Sequence, residues 1–395
     1  MRKLSFVIAM MLCVVSMAQQ KAEQPPRLPS MEYGTEKDMP LFYEQLKGEL
    51  TFPWAWQEKQ RKMSFKKWRK AARAEVMKTM QMAPPAPTDY GYEVIATEHR
   101  DGYDALKIRF SVNRWERVVA YLLKPLPATQ QQEKGRPAIL LFHDHGAHFS
   151  IGKEKMIKPF GVDSLVMADA EDWAHRCYDD VFVGDELAKA GYVVLCTDAL
   201  FWGDRGRMEG VRYDSQQALS ANLLQMGTSW GAWITWDDIR SAEFLAHLPF
   251  VDGNRVGCLG FSMGAYRSWM TAALTDAIKA SASICWMNDT EHLMTMTNNQ
   301  NKGGSAYSML VPGIRNLMDY ADVAAMACPK PTLFFNGYND KLFPVEGVEN
   351  SYKRMRDVWQ SQKADDKLHT KIWQEKHFFN RTMQQEVISF FSSEL

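Results

Sequence analysis

The rhythm of apolar and polar positions changes along the chain. From Ser64 to Met80, Phe65, Trp68, Ala72, Val76 and Met80 recur at spacings of three and four. That period predicts a helix with one apolar face and Ser64 as its N-cap. Its other face carries Lys66, Lys67, Arg69, Lys70, Arg73 and Lys78. Such a face suits a membrane or anionic glycan, but it is more commonly the wet side of a docked helix, which is the expectation here. Pro84, Pro85 and Pro87 end the segment. Two strand-like runs, 92–99 and 103–112, then flank Asp101-Gly102, a hairpin signal. A third, 118–123, follows the Asn113-Arg114 turn.

After a polar loop at 128–136, the pattern becomes short apolar strands alternating with helices. Strands are expected at 138–142, 192–197, 256–259, 281–286, 332–336 and 371–374. Helices are expected to end at Ala190 and to span 236–248, 263–274 and 383–391. All-apolar strands separated by helices predict an α/β fold, with a mostly parallel central sheet flanked by helices. Long insertions at 149–184, 203–235 and 287–328 are placed to cover a site at the sheet edge.

The first residues are of another kind. Arg2 and Lys3 precede an apolar run, Leu4 to Val15, and Ser16-Met17-Ala18 supplies small residues. This is the pattern of a signal peptide cut near Ala18, which predicts a secreted or periplasmic protein. The run is short for a membrane span, and no integral span is expected elsewhere. A lipid anchor on Cys13 is disfavoured by the bulky Leu12. The expected organisation is signal peptide 1–18, helical N-terminal extension 19–90 and catalytic domain 91–395.

Composition removes one class of partner. The 395 residues carry 47 basic and 47 acidic side chains. A chain without net positive charge is a poor nucleic-acid binder. Beyond Cys13 the cysteines are Cys177, Cys196, Cys258, Cys285 and Cys328, an odd number without close pairs. They are expected as small buried residues rather than disulfides. Oligomeric state is not legible.

G-x-S-x-G occurs twice. The copy around Ser229 follows a helix-like stretch. The copy Gly260-Phe261-Ser262-Met263-Gly264 directly follows the apolar strand ending at Leu259. A nucleophile elbow needs strand, sharp turn and helix, with small flanking residues, so Ser262 is the expected nucleophile. A serine needs a base, and the base an acid. Asp340 and His377 each lie just past a strand, in the order Ser, acid, His. Asp289 is the rival acid. His369 precedes the last strand and should face the wrong edge. The Met263 N–H is one expected oxyanion donor. The second is sought in His143-Asp144-His145-Gly146-Ala147-His148, with Ala147 as candidate. The same loop has H-x-H-x-x-H spacing, similar to the metallo-β-lactamase metal motif, but Ala147 stands where that motif has aspartate. No metal or cofactor is expected.

The stretch from Asp237 to Gly264, the segment 337–344 around Asp340, and His377-Phe378 resemble the α/β-hydrolase branch that holds dienelactone hydrolases and acetyl xylan esterases. The resemblance covers residues from about 90 to the C-terminus. It implies the α/β-hydrolase fold and an ester hydrolase working through Ser262, His377 and Asp340 without a cofactor. It further implies acetyl or acyl groups on carbohydrate, a small-molecule or oligosaccharide ester, as substrate. A serine peptidase of the same fold and a non-catalytic glycan-binding protein are the alternatives. Among 13 tryptophans, Trp202, Trp230, Trp233 and Trp236 crowd one region, and Trp286 ends a strand. Trp202, Trp286 and His145 are candidate substrate contacts, the tryptophans being equally readable as core. Asp204-Arg205 reads as a structural ion pair.

Overall fold

The computed structural model describes residues 35–36, 39–126, 135–206, 210–295 and 307–395. The expected signal peptide, Cys13 and the loop 127–134 lie outside the described residues. The chain forms two units, Met1–Glu44 and Gln45–Leu395. In the first, Thr35–Glu36 pairs antiparallel with Met39–Pro40. Everything below concerns the second.

Nine strands form one sheet. They are β1 (Glu93–Arg100), β2 (Tyr103–Ser111), β3 (Arg117–Pro125), β4 (Arg136–Phe142), β5 (Val193–Thr197), β6 (Val251–Phe261), β7 (Ala280–Ile284), β8 (Thr332–Gly337) and β9 (Leu368–Trp373). The spatial order is β9-β8-β7-β6-β4-β5-β3-β2-β1. β1, β2 and β3 pair antiparallel, as does β3 with β5. Every pairing from β5 through β9 is parallel. Leu141 lies level with Cys196 on one side and Leu259 on the other. The parallel strands therefore finish along one edge, and the segments after them gather there.

Strand side chains alternate between two cores, as the period of two requires. Ala138, Leu140 and Phe142 face one, with Val193 and Leu195. Ile139 and Leu141 face the other, with Val194 and Cys196. The first core is covered by α1 (Phe65–Met80), α5 (Trp230–His247), α6 (Met263–Leu274), α7 (Tyr320–Ala325) and α8 (Val345–Ser361), with Leu223 from α4 (Tyr213–Gln225). The second is covered by α2 (Ser164–Tyr178), α3 (Val183–Lys189) and α9 (Arg381–Glu394). The outcome is a three-layer α/β/α sandwich with a mostly parallel sheet. Two-sided burial explains why the central strands read as unbroken apolar runs.

The predicted helix is α1. Trp68, Ala72, Val76 and Met80 are buried in the same core as the sheet. Residues 45–90 are thus part of the main body, and position 90 marks no break. Two members of the basic face are used in docking. Arg69 donates to the Cys328 carbonyl (3.0 Å), and Arg73 to the Ala273 carbonyl (2.6 Å) and Asp276 (2.8 Å). Lys66, Lys67, Lys70 and Lys78 stay exposed. No described helix is long and apolar enough to cross a membrane. Cys196, Cys258, Cys285 and Cys328 are buried, Cys177 is half-buried, and all five are free thiols.

Buried charge ties the helical layer to the sheet. Arg267 on α6 makes a two-pronged contact with Asp238 on α5 (2.9 and 2.7 Å) and lies 4.9 Å over the Phe142 ring. Both partners are almost fully buried. Removing one leaves an uncompensated charge, which costs more than the intact pair contributes. Arg267→Met alone is expected to lose about 3–5 kcal/mol of stability in urea denaturation, and Arg267→Met with Asp238→Leu to recover most of it.

Candidate active site

At the end of β6 the chain turns into α6 within one residue. Ser262 has φ 57° and ψ −123°, a conformation few side chains adopt. Its N–H is held by the Ile284 carbonyl at the end of β7 (2.8 Å). The turn closes only because its neighbours lack side chains. A Cβ on Gly260 would lie 2.0 Å from the Gly264 carbonyl oxygen, and one on Gly264 would lie 1.9 Å from that of Phe142. The serine oxygen is presented at the helix N-terminus, where backbone N–H groups have no intrahelical partner. The Met263 N–H has no hydrogen-bond partner among the described residues.

His377 and Asp340 come together at the same edge. His377 Nδ1 lies 2.6 Å from Asp340 Oδ2. The Asp340 side chain is fully buried and that of His377 is partly open. The other Asp340 oxygen accepts the Leu342 N–H (2.9 Å). The two loops are zipped: Tyr338 N–H donates to Trp373 and Asn339 N–H to Glu375. Gly337 permits this, since a Cβ there would meet the Glu375 carbonyl oxygen at 2.4 Å. The imidazole packs on Phe261, the residue before Ser262 (ring centroids 4.8 Å apart), and stacks against Phe343 at 6.0 Å. Among the described residues, the Ser262 hydroxyl and His377 share no hydrogen bond. Such contacts are often loose without substrate.

The rivals go elsewhere. Asp289 caps a short helix, accepting the His292 N–H and contacting its ring. His369 sits on β9 against Phe390, near the strand's start. Ser229 caps α5, its oxygen accepting the Ala232 N–H (3.1 Å).

The loop after β4 differs from expectation. Ala147 has φ 53°, and its N–H donates to His145 Nδ1 (3.0 Å). The donor assigned to the oxyanion is therefore already engaged within its own loop. The three histidines do not converge. His143 Nδ1 donates to the Asp144 carbonyl and its Nε2 accepts the Ala199 N–H, joining the loops after β4 and β5. His148 lies 3.0 Å from Asp169. Asp144 accepts from Trp173 and Tyr178, and Lys155 donates to the Asp144 and His145 carbonyls. Nothing in the motif announced this buried web.

Trp202 and Trp286 are 0% and 1% exposed, so neither offers a face to a sugar ring. Trp202 packs on His143, His145 and Trp230, and donates to the His145 carbonyl. Trp286 lies among Tyr266, Trp269, Tyr320 and Phe343, behind His377. His145 is also buried, at 5% exposure. Asp204 and Arg205 are structural but pair with other residues. Asp204 meets Lys153, and Arg205 meets Glu116 and Asp237.

One neighbour was not expected. The Cys285 sulfur, with one ligand atom each from Asp340 and His377, forms a group whose members lie within 4.8 Å of one another, close enough to share a metal ion. Burial pushes the Cys285 thiol well above its ordinary value. The sequence pattern puts Cys285 inside a strand at 281–286; the strand ends at Ile284, which leaves Cys285 at the edge.

A family described as "Abhydrolase family" matches residues 41–379. The chain belongs to the Abhydrolase family. In Bacillus subtilis (strain 168), the "Putative hydrolase YtaP" is 28% identical over 299 residues, covering 75% of this chain and 90% of that protein. Among solved structures, a "putative acetyl xylan esterase" from Bacteroides fragilis NCTC 9343 superposes with a TM-score of 0.66 at 19% identity, covering 89% of this chain and 84% of the other. A glucuronoyl esterase from Solibacter usitatus gives 0.56 at 13% identity, covering 95% and 100%. Acetyl xylan esterase 1 from Thermoanaerobacterium sp. JW/SL YS485 gives 0.52 at 15%, covering 82% and 93%. At these identities the structural likeness is one of fold, and the sheet here is that of an α/β-hydrolase.

Two outcomes follow from this geometry. Gly264→Ala is expected to cost at least about 1–3 kcal/mol in urea denaturation, because the Phe142 backbone has no room to yield. The second concerns acid. His145 is pushed down to about 3, by burial first and then by the Lys155 charge, with Asp144 opposing. Unfolded, it titrates near about 6.5. Between those values the unfolded chain binds a proton the folded one refuses, so stability falls as pH falls. Urea denaturation between about pH 6 and 4 is expected to show a slope shallower by about 1 kcal/mol per pH unit in His145→Gln than in the wild type.

Proposed function

We propose that this Abhydrolase family member is a serine esterase that removes acetyl or other acyl groups from carbohydrate. The observation that carries the reading is the His377–Asp340 pair at 2.6 Å, seated on the residue that precedes the strained Ser262 turn. In this reading Ser262 attacks the ester carbonyl and His377 takes its proton. Asp340 fixes the imidazole tautomer and balances the charge that forms. The Met263 N–H meets the oxyanion. The alcohol leaves with the proton from His377. Water, deprotonated by the same base, then releases the acid from Ser262.

The carbohydrate part is supported by the names of the neighbours, acetyl xylan and glucuronoyl esterases. Export is proposed from the Arg2-to-Ala18 pattern.

The test is hydrolysis of 4-nitrophenyl acetate, followed by acetate release from acetylated xylan. Ser262→Ala is expected to lower kcat by at least about 1000-fold, and Asp340→Asn by a comparable factor, while Ser229→Ala keeps activity if the cap loss leaves the fold intact. Full activity in Ser262→Ala would end the proposal. Activity on the small ester without acetate release from xylan would remove the acetyl-xylan substrate and keep the esterase.

A further inference from the structure

The tryptophans expected to meet sugar are buried, and a different one is open. Trp115, in the turn between β2 and β3, is 66% exposed. Its indole lies nearly parallel to that of Trp233 on α5, with centroids 6.2 Å apart and planes 15° from parallel. A single exposed apolar side chain is ordinary. This one is held in place. Asn113 Oδ1 accepts the N–H groups of Trp115 (2.8 Å) and Glu116 (2.9 Å), fixing the turn. Arg114 N–H donates to the Pro85 carbonyl. Glu116 grips Arg205 through both oxygens (2.8 and 2.7 Å), tying the turn to the loop after β5. The backbone of the turn is therefore fixed, and the indole lies along Trp233 with its outer face open to solvent.

Its position matters as much as its exposure. β3 runs antiparallel to β5, with Ala120 opposite Thr197. The start of β3, and Trp115 before it, thus lies at the edge where the parallel strands end. This is the edge that carries Ser262. β6 and β3 are separated by β4 and β5, so the lateral offset is about 15 Å at ordinary strand spacing. The exposed Arg114 precedes Trp115 in the same turn. Only its Nε is engaged among the described residues, with the Ala86 carbonyl, so its terminal N–H groups can meet hydroxyls.

We infer that Trp115, backed by Trp233, is a stacking platform for a neutral pyranose ring of a carbohydrate chain whose ester lies at Ser262. The inference rests on the carbohydrate reading above and deepens it. A pyranose carries C–H groups on one face and hydroxyls around its rim. The C–H groups suit the electron-rich face of an indole, and the hydroxyls of the rim can take hydrogen bonds from exposed donors of the same turn. A planar, uncharged contact of this kind selects polymers over small esters by adding a second point of attachment away from the chemistry.

The test is binding of a neutral, unacetylated oligosaccharide to the full chain, followed by calorimetry with xylohexaose, cellohexaose and mannohexaose in turn. The wild type is expected to bind at least one of them saturably. Trp115→Ala should weaken that binding by up to about tenfold, and Trp115→Phe, which keeps a ring, by much less. Equal affinity in wild type and Trp115→Ala, or no saturable binding of any of the three by the wild type, would overturn the platform. Urea midpoints of both variants report whether the turn still folds, and the phenylalanine variant keeps the test open if alanine does not. Hydrolysis of 4-nitrophenyl acetate by wild type and Ser262→Ala is read alongside. Oligosaccharide binding without esterase activity would remove the catalytic reading and leave the platform. Esterase activity without such binding would remove the platform and leave the serine.

Discussion

The join between β6 and α6 is the constraint around which the sheet edge is organised. A strand must become a helix within one residue, and Ser262 takes a φ of 57° to do it. That conformation costs on the order of 1–3 kcal/mol and persists only if the surroundings over-determine it. Here they do. The Ser262 N–H is held by β7, Gly260 meets the helix backbone, and Gly264 meets the end of β4. Three neighbouring strands and one helix thus converge on a single residue. A side chain at Gly260 would push β6 from α6, and one at Gly264 would push α6 from the end of β4.

Much of this was legible because it rests on local rules. A strand followed at once by Gly-x-Ser-x-Gly and an apolar helix has few physical readings, and the structure shows Ser262 in the turn that spacing demands. Asp340 and His377 were legible for a topological reason. Side chains just past parallel strands must meet at one edge, and the last two strands bring theirs to 2.6 Å. What failed was anything depending on which way a loop folds back. Ala147 was assigned a free N–H from its place after a glycine, yet a ring nitrogen two residues away takes it. Trp202 and Trp286 lie in the right region but point inward. The Asn113-Arg114 turn was legible, but the placement of Trp115 beside it was not, because that depends on the Asn113 side chain and on the distant Trp233.

Buried charge explains how so many loops hold still at that edge. Lys153 joins Asp198 and Asp204, Lys155 joins Asp144, and Arg205 joins Glu116 and Asp237. Burial raises the carboxyl of Asp237, and Arg205 beside it acts in the opposite sense. Such pairs gain little net stability, because desolvation offsets most of the attraction. They do fix geometry, because each alternative arrangement strands a charge. Glu116 is the clearest case: its grip on Arg205 holds the Trp115 turn and the loop after β5 with one contact.

The same logic accounts for the placement of α1. The C-terminal end of α6 leaves carbonyls without intrahelical partners, and it carries partial negative charge. Arg73 of α1 donates to Ala273, while Lys330 donates to Ala272 and Thr275. The Arg73 guanidinium and the Lys330 amine thus close one end of the helix whose other end presents Ser262 and the Met263 N–H. Arg69 holds the Cys328 carbonyl beside them. The first apolar stripe of the chain is therefore more than a cover for the sheet. It docks where it satisfies the far end of the helix that begins at Ser262, which is why residues 45–90 belong to the same body as that serine.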